Sequence, residues 1–239
     1  MTTLTRSNQD YLKALYELAP DGARVTTSRL AARLGVSAPS VTNMLARLAR
    51  ERLVLHAPRE GARLTEGGRQ AALAMVRRHR ILETFLVRVL GLDWAEVHQD
   101  AEVLEHHISD RVLGAMDRLV GHPDEDPHGH PIPDARGRVR RRRLEPLGGL
   151  GAGSSAVVRE IRDADGARME RWKRDGLVPG ARVRVREVDD LDGLVELEVG
   201  GRRVRAGSAG LDGVLVEPAA LPRGGGASPR AARRRRSAR

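Results

Sequence analysis

The sequence contains no cysteine, few aromatic residues and no long apolar segment. Because none of its 239 residues is Cys, disulfides and thiolate metal sites are excluded, and an oxidising compartment is not required. Aromatic residues make up only 2% of the chain, so Leu, Val and Ala must pack its cores. No apolar run approaches the ~20 residues of a membrane span, and the N-terminus lacks the pattern of a signal peptide. We therefore expect a cytoplasmic protein with no membrane partner.

Charge is distributed unevenly along the chain. The net charge is +10, and Lys13 and Lys173 are the only lysines among many arginines. Basic residues outnumber acidic ones over 1–64, acidic residues outnumber basic ones over 65–135, and 218–239 carries Arg with no acidic residue. The basic balance favours nucleic acid as a partner, and the acidic middle block fits cation binding.

The first 65 residues have the pattern of a DNA-binding domain. Residues 7–19 predict an amphipathic helix capped by Ser7 or Asn8, and 26–36 predict a short helix that begins at a Thr cap and ends at Gly35. Residues 37–54 follow with Ser37 as cap and Pro39 in the first turn. Two short helices joined across "LGVS" are typical of a helix-turn-helix, and "LVLHAPREGARLT" alternates like a β-hairpin wing. We predict a winged helix-turn-helix over residues 1–65.

The helix that begins after Ser37 is the predicted reader of DNA. Its exposed side chains would face base edges in the major groove, and arginines around it would approach phosphates. The predicted DNA contacts are Thr27, Ser37, Pro39, Ser40, Thr42, Asn43, Arg47, Arg50 and Arg59. The alternative is a winged helix that contacts another protein.

Residues 66–135 predict an all-helical dimerisation domain. The pattern indicates helices over 65–90, over 91–109 with Asp93 as cap, and over 110–123. The first of these has more apolar residues than one small domain must bury. Because operators are often two-fold symmetric, we expect this block to form a homodimer.

The remaining residues predict a linker, a small β domain and a tail. Residues 136–145 are Arg-rich and are typical of a linker. Short alternating segments, "AVVREI", "ARVRVREV", "LVELEVG" and "GVLVEP", predict a small antiparallel barrel over 146–218. Residues 219–239 have too little apolar content to fold and predict a disordered Arg-rich tail. The expected fold class is therefore mainly α, with one C-terminal all-β domain.

The stretch "VHQDAEVLEHHISD" gathers four groups that bind metals. Offsets of 0, 4, 7 and 8 place them on one face of a single helix, without a cation to balance the acids. These residues are His98, Glu102, Glu105 and His106. His79 and Glu83 form a second pair one turn apart, which on its own also fits a surface pair. Asp10 lies inside the first helix, and the histidines of "GHPDEDPHGH" fit loop structure. Imidazole and carboxylate ligands suit Mn²⁺, Fe²⁺, Co²⁺, Ni²⁺ and Zn²⁺.

Five stretches give the chain a family resemblance. They are "YLKALYEL", "RLAARLGVSAPSVTNMLARL", "RHRILETFLVRVLGL", "VHQDAEVLEHHISD" and "HPDEDPHGHPIP". Together they resemble the diphtheria-toxin-repressor family of metal-dependent transcriptional regulators, which has iron- and manganese-responsive branches. The match is close over residues 4–135. It is looser over "RWKRDGLVPGARVRV", which is similar to the SH3-like C-terminal domain of that family.

The resemblance implies two metal sites per subunit. One would use His79, Glu83 and His98 with help from the SH3-like domain, where the alignment is poor and Asp163 is the best candidate. The other would use Asp10, Glu102, Glu105 and His106. The iron branch has Met and Cys where this chain has Asp10 and Glu102. The short manganese regulators have Glu where this chain has Lys13, whose ammonium could pair with Asp10. The chain thus resembles a manganese-type, three-domain member.

The expected function is a metal-dependent repressor that controls metal homeostasis and binds double-stranded operator DNA. Mn²⁺ is the expected activator, Fe²⁺ the alternative, and Co²⁺, Ni²⁺ and Zn²⁺ are expected substitutes in vitro. A metalloenzyme is disfavoured, because there is no HExxH motif and no evident nucleophile or base beyond the ligands; no small-molecule substrate is expected. The remaining alternatives are an iron-dependent repressor and a metal-independent winged-helix regulator.

Overall fold

The computed structural model describes residues 4–57, 59–140, 142–162 and 166–219. The candidate ligand Asp163 and tail residues 220–239 lie outside these ranges. Within the described part of the chain, the helices are too short or too polar to cross a membrane.

Three helices and a hairpin form the N-terminal unit. Helix α1 spans Arg6–Leu18, α2 spans Thr27–Leu34 and α3 spans Ala38–Arg50. Strands β1 (Val54–Ala57) and β2 (Gly61–Leu64) pair antiparallel as the wing. The hydroxyls of Thr26 and Ser37 cap α2 and α3 as expected. The expected cap of α1 is wrong, because the cap is Thr5, which accepts the Asn8 N–H and lies two residues before Ser7 and three before Asn8. Apolar side chains from all these elements form one core.

A long helix leads from the wing into the second helical block. Helix α4 spans Glu66–Arg88, α5 spans Val97–Leu104 and α6 spans Asp110–Leu119. The predicted helix over 91–109 is too long at both ends. Asp93 caps a turn by accepting the Ala95 N–H at 2.9 Å, and α5 starts only at Val97.

The C-terminal end of α5 was also predicted wrongly. The Glu105 carbonyl oxygen accepts a hydrogen bond from Arg78 Nε at 2.5 Å, so this carbonyl has a partner outside the helix. Glu105 and His106 therefore lie in the turn that follows α5, and His98 and Glu102 lie on the helix itself.

An antiparallel sheet makes up most of the C-terminal unit. Its strands are β3 (Glu145–Pro146), β4 (Ser155–Ile161), β5 (Arg182–Asp189), β6 (Leu194–Val199), β7 (Arg202–Gly207) and β8 (Val214–Pro218), in the order β3-β8-β4-β5-β6-β7. Helix α7 (Gly166–Arg174) connects β4 to β5. The four predicted strands are present and the all-β prediction is confirmed; β3, β7 and α7 were not predicted.

This sheet packs against the middle helical block. Trp94 and Ala95, just before α5, join the core of the β domain. The Ile161 N–H donates to the His128 carbonyl at 2.9 Å. Gly129 has φ +85°, and a Cβ there would lie 1.8 Å from the Arg159 carbonyl oxygen. This close backbone approach holds β4 beside the part of α4 that carries His79 and Glu83.

Candidate metal centres and DNA-binding surface

The first ligand cluster, which we call the α4 site, consists of His79, Glu83 and His98. His79 Nε2 lies 2.9 Å from Glu83 Oε1 and 3.0 Å from His98 Nδ1, and His98 Nδ1 lies 3.1 Å from Glu83 Oε1. Ligand atoms about 2.1 Å from one ion, at right angles to each other, are about 3 Å apart. The three side chains therefore fit one face of an octahedral divalent ion.

Two residues that sequence reasoning did not assign to metal chemistry surround this site. His128 Nδ1 lies 3.6 Å from Glu83 Oε2, and His128 Nε2 lies 2.6 Å from the Trp94 carbonyl oxygen. Glu160, buried on β4, lines the same cavity of about 580 Å³ and bonds to Arg162 at 2.6 Å. Alternation along β4 places Glu160 on the same buried face as Ala156 and Val158, and a β-bulge between Val158 and Glu160 brings Ile161 into the interior as well.

The α4 site is tuned by its buried carboxylates. His79 Nδ1 lies 2.6 Å from Glu105 Oε2, on the opposite side of the ring from Glu83. Burial acts to lower the pKa of His79, but Glu83 and Glu105 outweigh it and raise the pKa to about 9. Burial likewise acts to raise the pKa of Glu83, and contacts with His79, His128 and His98 hold it well below its usual value. An imidazolium that bridges two carboxylates is therefore the metal-free state.

A second cluster, the junction site, consists of Asp10, Glu105 and His106. Asp10 lies on α1, and the other two follow α5. Asp10 Oδ1 lies 2.9 Å from His106 Nε2, which lies 3.6 Å from Glu105 Oε1. His106 Nδ1 faces Gln9 Oε1 at 2.9 Å. Burial raises the pKa of Asp10 above its usual value. One divalent ion fits these three groups, since their ligand atoms all lie within 4.8 Å of one another.

Glu102 is engaged by Lys13. The Lys13 ammonium donates to Glu102 Oε1 at 2.6 Å and to both oxygens of Glu105 at 3.0 Å, instead of pairing with Asp10. Burial acts to lower the pKa of Lys13, but Glu105 and Glu102 raise it above its ordinary value. Burial acts to raise the pKa of Glu102, and Lys13 lowers it overall. Three of the four predicted ligands thus come together, and Lys13 binds the fourth, Glu102, as well as Glu105.

A third group, Asp126, His128 and His130, fits a structural loop. Its potential ligand atoms lie within 4.8 Å of one another. Asp126 Oδ1, however, accepts the backbone N–H groups of His128 at 2.8 Å and His130 at 3.0 Å. Asp126 Oδ2 also lies 3.6 Å from Arg80 Nε. This carboxylate is used to hold the loop closed, as the loop interpretation of these histidines predicts.

The predicted base-reading residues of α3 share an exposed surface. This surface includes the cap and the first turns of the helix: Ser37, Pro39, Ser40, Thr42 and Asn43. The Ser37 and Ser40 hydroxyl oxygens lie 2.8 Å apart, and the Thr42 hydroxyl donates to the Ala38 carbonyl at 3.0 Å.

The predicted phosphate contacts differ in how free they are. Arg50 is exposed at the end of α3, and Arg59 is exposed in the turn of the wing. Arg47 contacts Asn8, the Thr5 hydroxyl at 3.2 Å and Glu51 at 3.5 Å, so its guanidinium also ties α3 to α1. Thr27, the first residue of α2, is half-buried.

The winged helix-turn-helix continues through α4 into helices that carry two candidate cation-binding clusters. This combination defines a metal-responsive DNA-binding regulator. The chain belongs to the iron-dependent repressor family. Residues 3–62 match the model "Iron dependent repressor, N-terminal DNA binding domain", residues 65–134 match "Iron dependent repressor, metal binding and dimerisation domain", and residues 145–218 match the FeoA domain. The prediction of a metal-dependent transcriptional repressor, and not an enzyme, is confirmed.

Relatives support the same assignment. The chain is 34% identical over 197 residues to the iron-dependent repressor IdeR of Mycobacterium tuberculosis, covering 77% of this chain and 86% of that protein. It is 35% identical over 133 residues to the diphtheria toxin repressor of Corynebacterium diphtheriae, covering 56% and 59%. A solved manganese-dependent transcriptional repressor in complex with manganese matches with a TM-score of 0.82 and 39% identity, covering 89% of this chain and all of that one. ScaR with bound Zn²⁺ matches with a TM-score of 0.74 and 31% identity, covering 88% and 98%.

Proposed function

We propose that this chain is a manganese-activated repressor that binds operator DNA as a homodimer and uses both the α4 site and the junction site. The observation that carries the proposal is the junction site, which combines Asp10 of α1 with Glu105 and His106 of the dimerisation helices. A divalent ion at this site would join the DNA-binding unit to the helical block. It can favour the DNA-competent arrangement only through a higher affinity for that arrangement.

The ligand chemistry supports Mn²⁺ as the activator. The described clusters offer only imidazole nitrogen and carboxylate oxygen, and the chain has no cysteine. Carboxylates suit Mn²⁺, whereas sulfur ligands favour softer metals. The solved manganese-dependent repressor is the structural match with the TM-score of 0.82. Affinity alone does not identify the activator, because Co²⁺, Ni²⁺ and Zn²⁺ bind such ligands at least as tightly.

Activation by Fe²⁺ is the second candidate. The iron-dependent repressor IdeR shares 34% identity with this chain across most of both proteins. Fe²⁺ accepts the same nitrogen and oxygen ligands, so the α4 site suits it as well. Asp10 distinguishes the two candidate metals, because its hard carboxylate oxygen favours Mn²⁺ over Fe²⁺.

An anaerobic DNA-binding titration tests the metal assignment. DNA selected from a random library by the Mn²⁺-loaded protein serves as probe for wild type, Asp10→Met and the control Asp100→Met, which makes the same change at an exposed position on α5. Mn²⁺ should activate wild type and Asp100→Met at a lower free concentration than Asp10→Met, and the Asp10→Met response should shift toward Fe²⁺. A wild type that responds to Fe²⁺ and not to Mn²⁺ would refute the manganese assignment and leave the family assignment standing.

We also propose that the end of α4, α5 and α6 form the dimer interface. The core of this region is small, and it leaves large apolar side chains exposed: Val89, Leu90, Leu92, Val103, Val112 and Leu119. An apolar surface of this kind is typical of a protein–protein contact. Leu90→Glu should shift the sedimentation coefficient toward that of a monomer. Leu191→Glu, at a leucine 99% exposed on the β domain, is the matched control and should not.

A further inference from the structure

The Lys13 ammonium lies among groups that would otherwise bind a metal. Glu102 Oε1 is 2.6 Å from Nζ, each Glu105 oxygen is 3.0 Å away, and His79 Nδ1 is 3.0 Å away. His79, Glu102 and Glu105 satisfy the spacing of a cation site without Lys13, since their ligand atoms lie within 4.8 Å of one another. Lys13 is only 4% exposed, so its nitrogen is enclosed there together with its stem.

The ammonium and a divalent ion cannot occupy this position together. An ion bound by these atoms would lie about 2.1 Å from each of them, within the space that Nζ now fills. The junction site shares Glu105 with Lys13 and adds Asp10 and His106, whose Nε2 lies 2.9 Å from Asp10 Oδ1 and 3.6 Å from Glu105 Oε1.

We propose that Lys13 is a covalently tethered cation that takes the place of one divalent ion, so that the junction holds a single ion where its carboxylates have room for two. Lys13 belongs to α1, and its acceptors belong to α5 and the turn after it. One contact between the DNA-binding helices and the dimerisation helices is therefore permanent and independent of metal. At the junction, only the ion held by Asp10, Glu105 and His106 remains to report the metal concentration. The proposal rests on the proposed use of the junction site as a metal centre.

The test compares the number of ions bound by full-length wild type, Lys13→Glu and Lys173→Glu. Lys173 is the other lysine of the chain, and it pairs with Asp93 and Glu170, which belong to neither metal site. Lys173→Glu therefore makes the same charge change away from both sites. Equilibrium dialysis against Mn²⁺ with elemental analysis should give one more ion per subunit for Lys13→Glu than for wild type and Lys173→Glu. Two Mn²⁺ ions bridged by Glu105 would lie about 4 Å apart, so Lys13→Glu should also show an exchange-coupled electron paramagnetic resonance signal.

The number of bound ions and the coupled signal together decide whether Lys13 replaces an ion. An equal number of ions in Lys13→Glu and wild type, with no coupled signal, overturns the inference. A coupled Mn²⁺ pair in wild type also overturns it, because the ammonium would then have been displaced, and this result is decisive even if Lys13→Glu does not fold. If Asp10→Ala binds as many Mn²⁺ ions as wild type, no ion is bound at Asp10, and this result refutes the proposed function and not the pairing of Lys13 alone.

Discussion

Proton release on metal binding should report the unusual state of His79. In the metal-free protein this buried ring has a pKa of about 9, because Glu83 and Glu105 accept hydrogen bonds from its two nitrogens. An ion at the α4 site needs an unprotonated Nε2, while Nδ1–H can continue to donate to Glu105. The binding of each ion to the α4 site must therefore displace a proton from His79.

The size of the effect follows from that pKa. At pH 7.5 an imidazole with a pKa of about 9 is about 97% protonated, whereas one with the ordinary value of 6.5 is about 10% protonated. We expect His79 to release close to one proton for each ion bound at pH 7.5. The apparent affinity should rise about tenfold per pH unit from pH 7 to pH 8.5 and level off only above pH 9.

The same shift predicts how pH affects the stability of the metal-free protein. Because the folded pKa of His79 is raised above the unfolded value, its stabilisation is fully present below about pH 6.5 and is lost as pH rises through 9. The loss from this residue amounts to about 3 kcal/mol at 1.36 kcal/mol per pKa unit. Urea unfolding of metal-free protein at pH 6 and pH 9.5 measures it, and metal-loaded protein is the comparison.

Calorimetry counts the protons directly. Isothermal titration with Co²⁺, in buffers of different ionisation enthalpy at pH 7.5, gives the number released. The Asp10→Ala variant isolates the α4 site, because it removes a ligand of the junction site and supplies none in its place. Glu105→Gln keeps the size of the side chain and removes its charge, so it should lower the pKa of His79 and reduce the proton count. Release near 0.1 proton and an affinity that is flat above pH 7 would show that His79 is not the bridging imidazolium that the structure describes.

Three further predictions concern DNA binding and domain contact. Asn43→Ala should relax the preference for particular DNA sequences, because the Asn amide can make two hydrogen bonds to one base. Arg50→Ala, at an exposed position, should weaken binding to all sequences alike. If both variants selected the same sequences from a random DNA library, these roles would be contradicted. Deleting 221–239 should leave metal dependence unchanged and lower the salt dependence of nonspecific binding by about 0.9 for each phosphate that the tail neutralises, and an unchanged slope would exclude binding of DNA by the tail. Gly129→Ala should lower the melting temperature more than Gly121→Ala, because both have positive φ but only Gly129 lies against the backbone of β4; equal decreases would argue against that close approach.

The sequence was informative where a local signal sets the structure. Thr26, Ser37 and Gly35 end or begin helices through their own backbone and hydroxyl geometry, so the winged helix-turn-helix could be predicted. The strands of the β domain that alternate in hydrophobicity were also predictable. Strand β7 (Arg202–Gly207) was not, because Val204 is its one fully buried residue and a single apolar position does not mark an alternation.

The candidate metal clusters could be predicted from the sequence in their residue types, but not in the contacts that each carboxylate makes. Helical spacing brought His79 and Glu83 together, but the Glu105 carbonyl at the end of α5 accepts a hydrogen bond from Arg78, which is distant in sequence. The pairing of Lys13 with Glu102 depends on how α1 packs against α5, which no local pattern describes. Tertiary packing therefore decided which carboxylates remain available for an ion.

The length of helix α4 converts a small tilt at the α4 site into a larger displacement at the DNA-binding unit. It runs unbroken for 23 residues, about 35 Å, and His79 lies about 20 Å from the end that adjoins the wing. A tilt of about 5° at the α4 site would move that end by nearly 2 Å, and two subunits related by a two-fold axis would change the separation of their α3 helices by about twice as much. Successive major grooves are about 34 Å apart, and hydrogen bonds to base edges tolerate only a few tenths of an ångström. We therefore expect a small rearrangement at His79 and Glu83 to bring two α3 helices into or out of register with an operator. A movement equal to the difference in length between a hydrogen bond and a metal–ligand bond is enough.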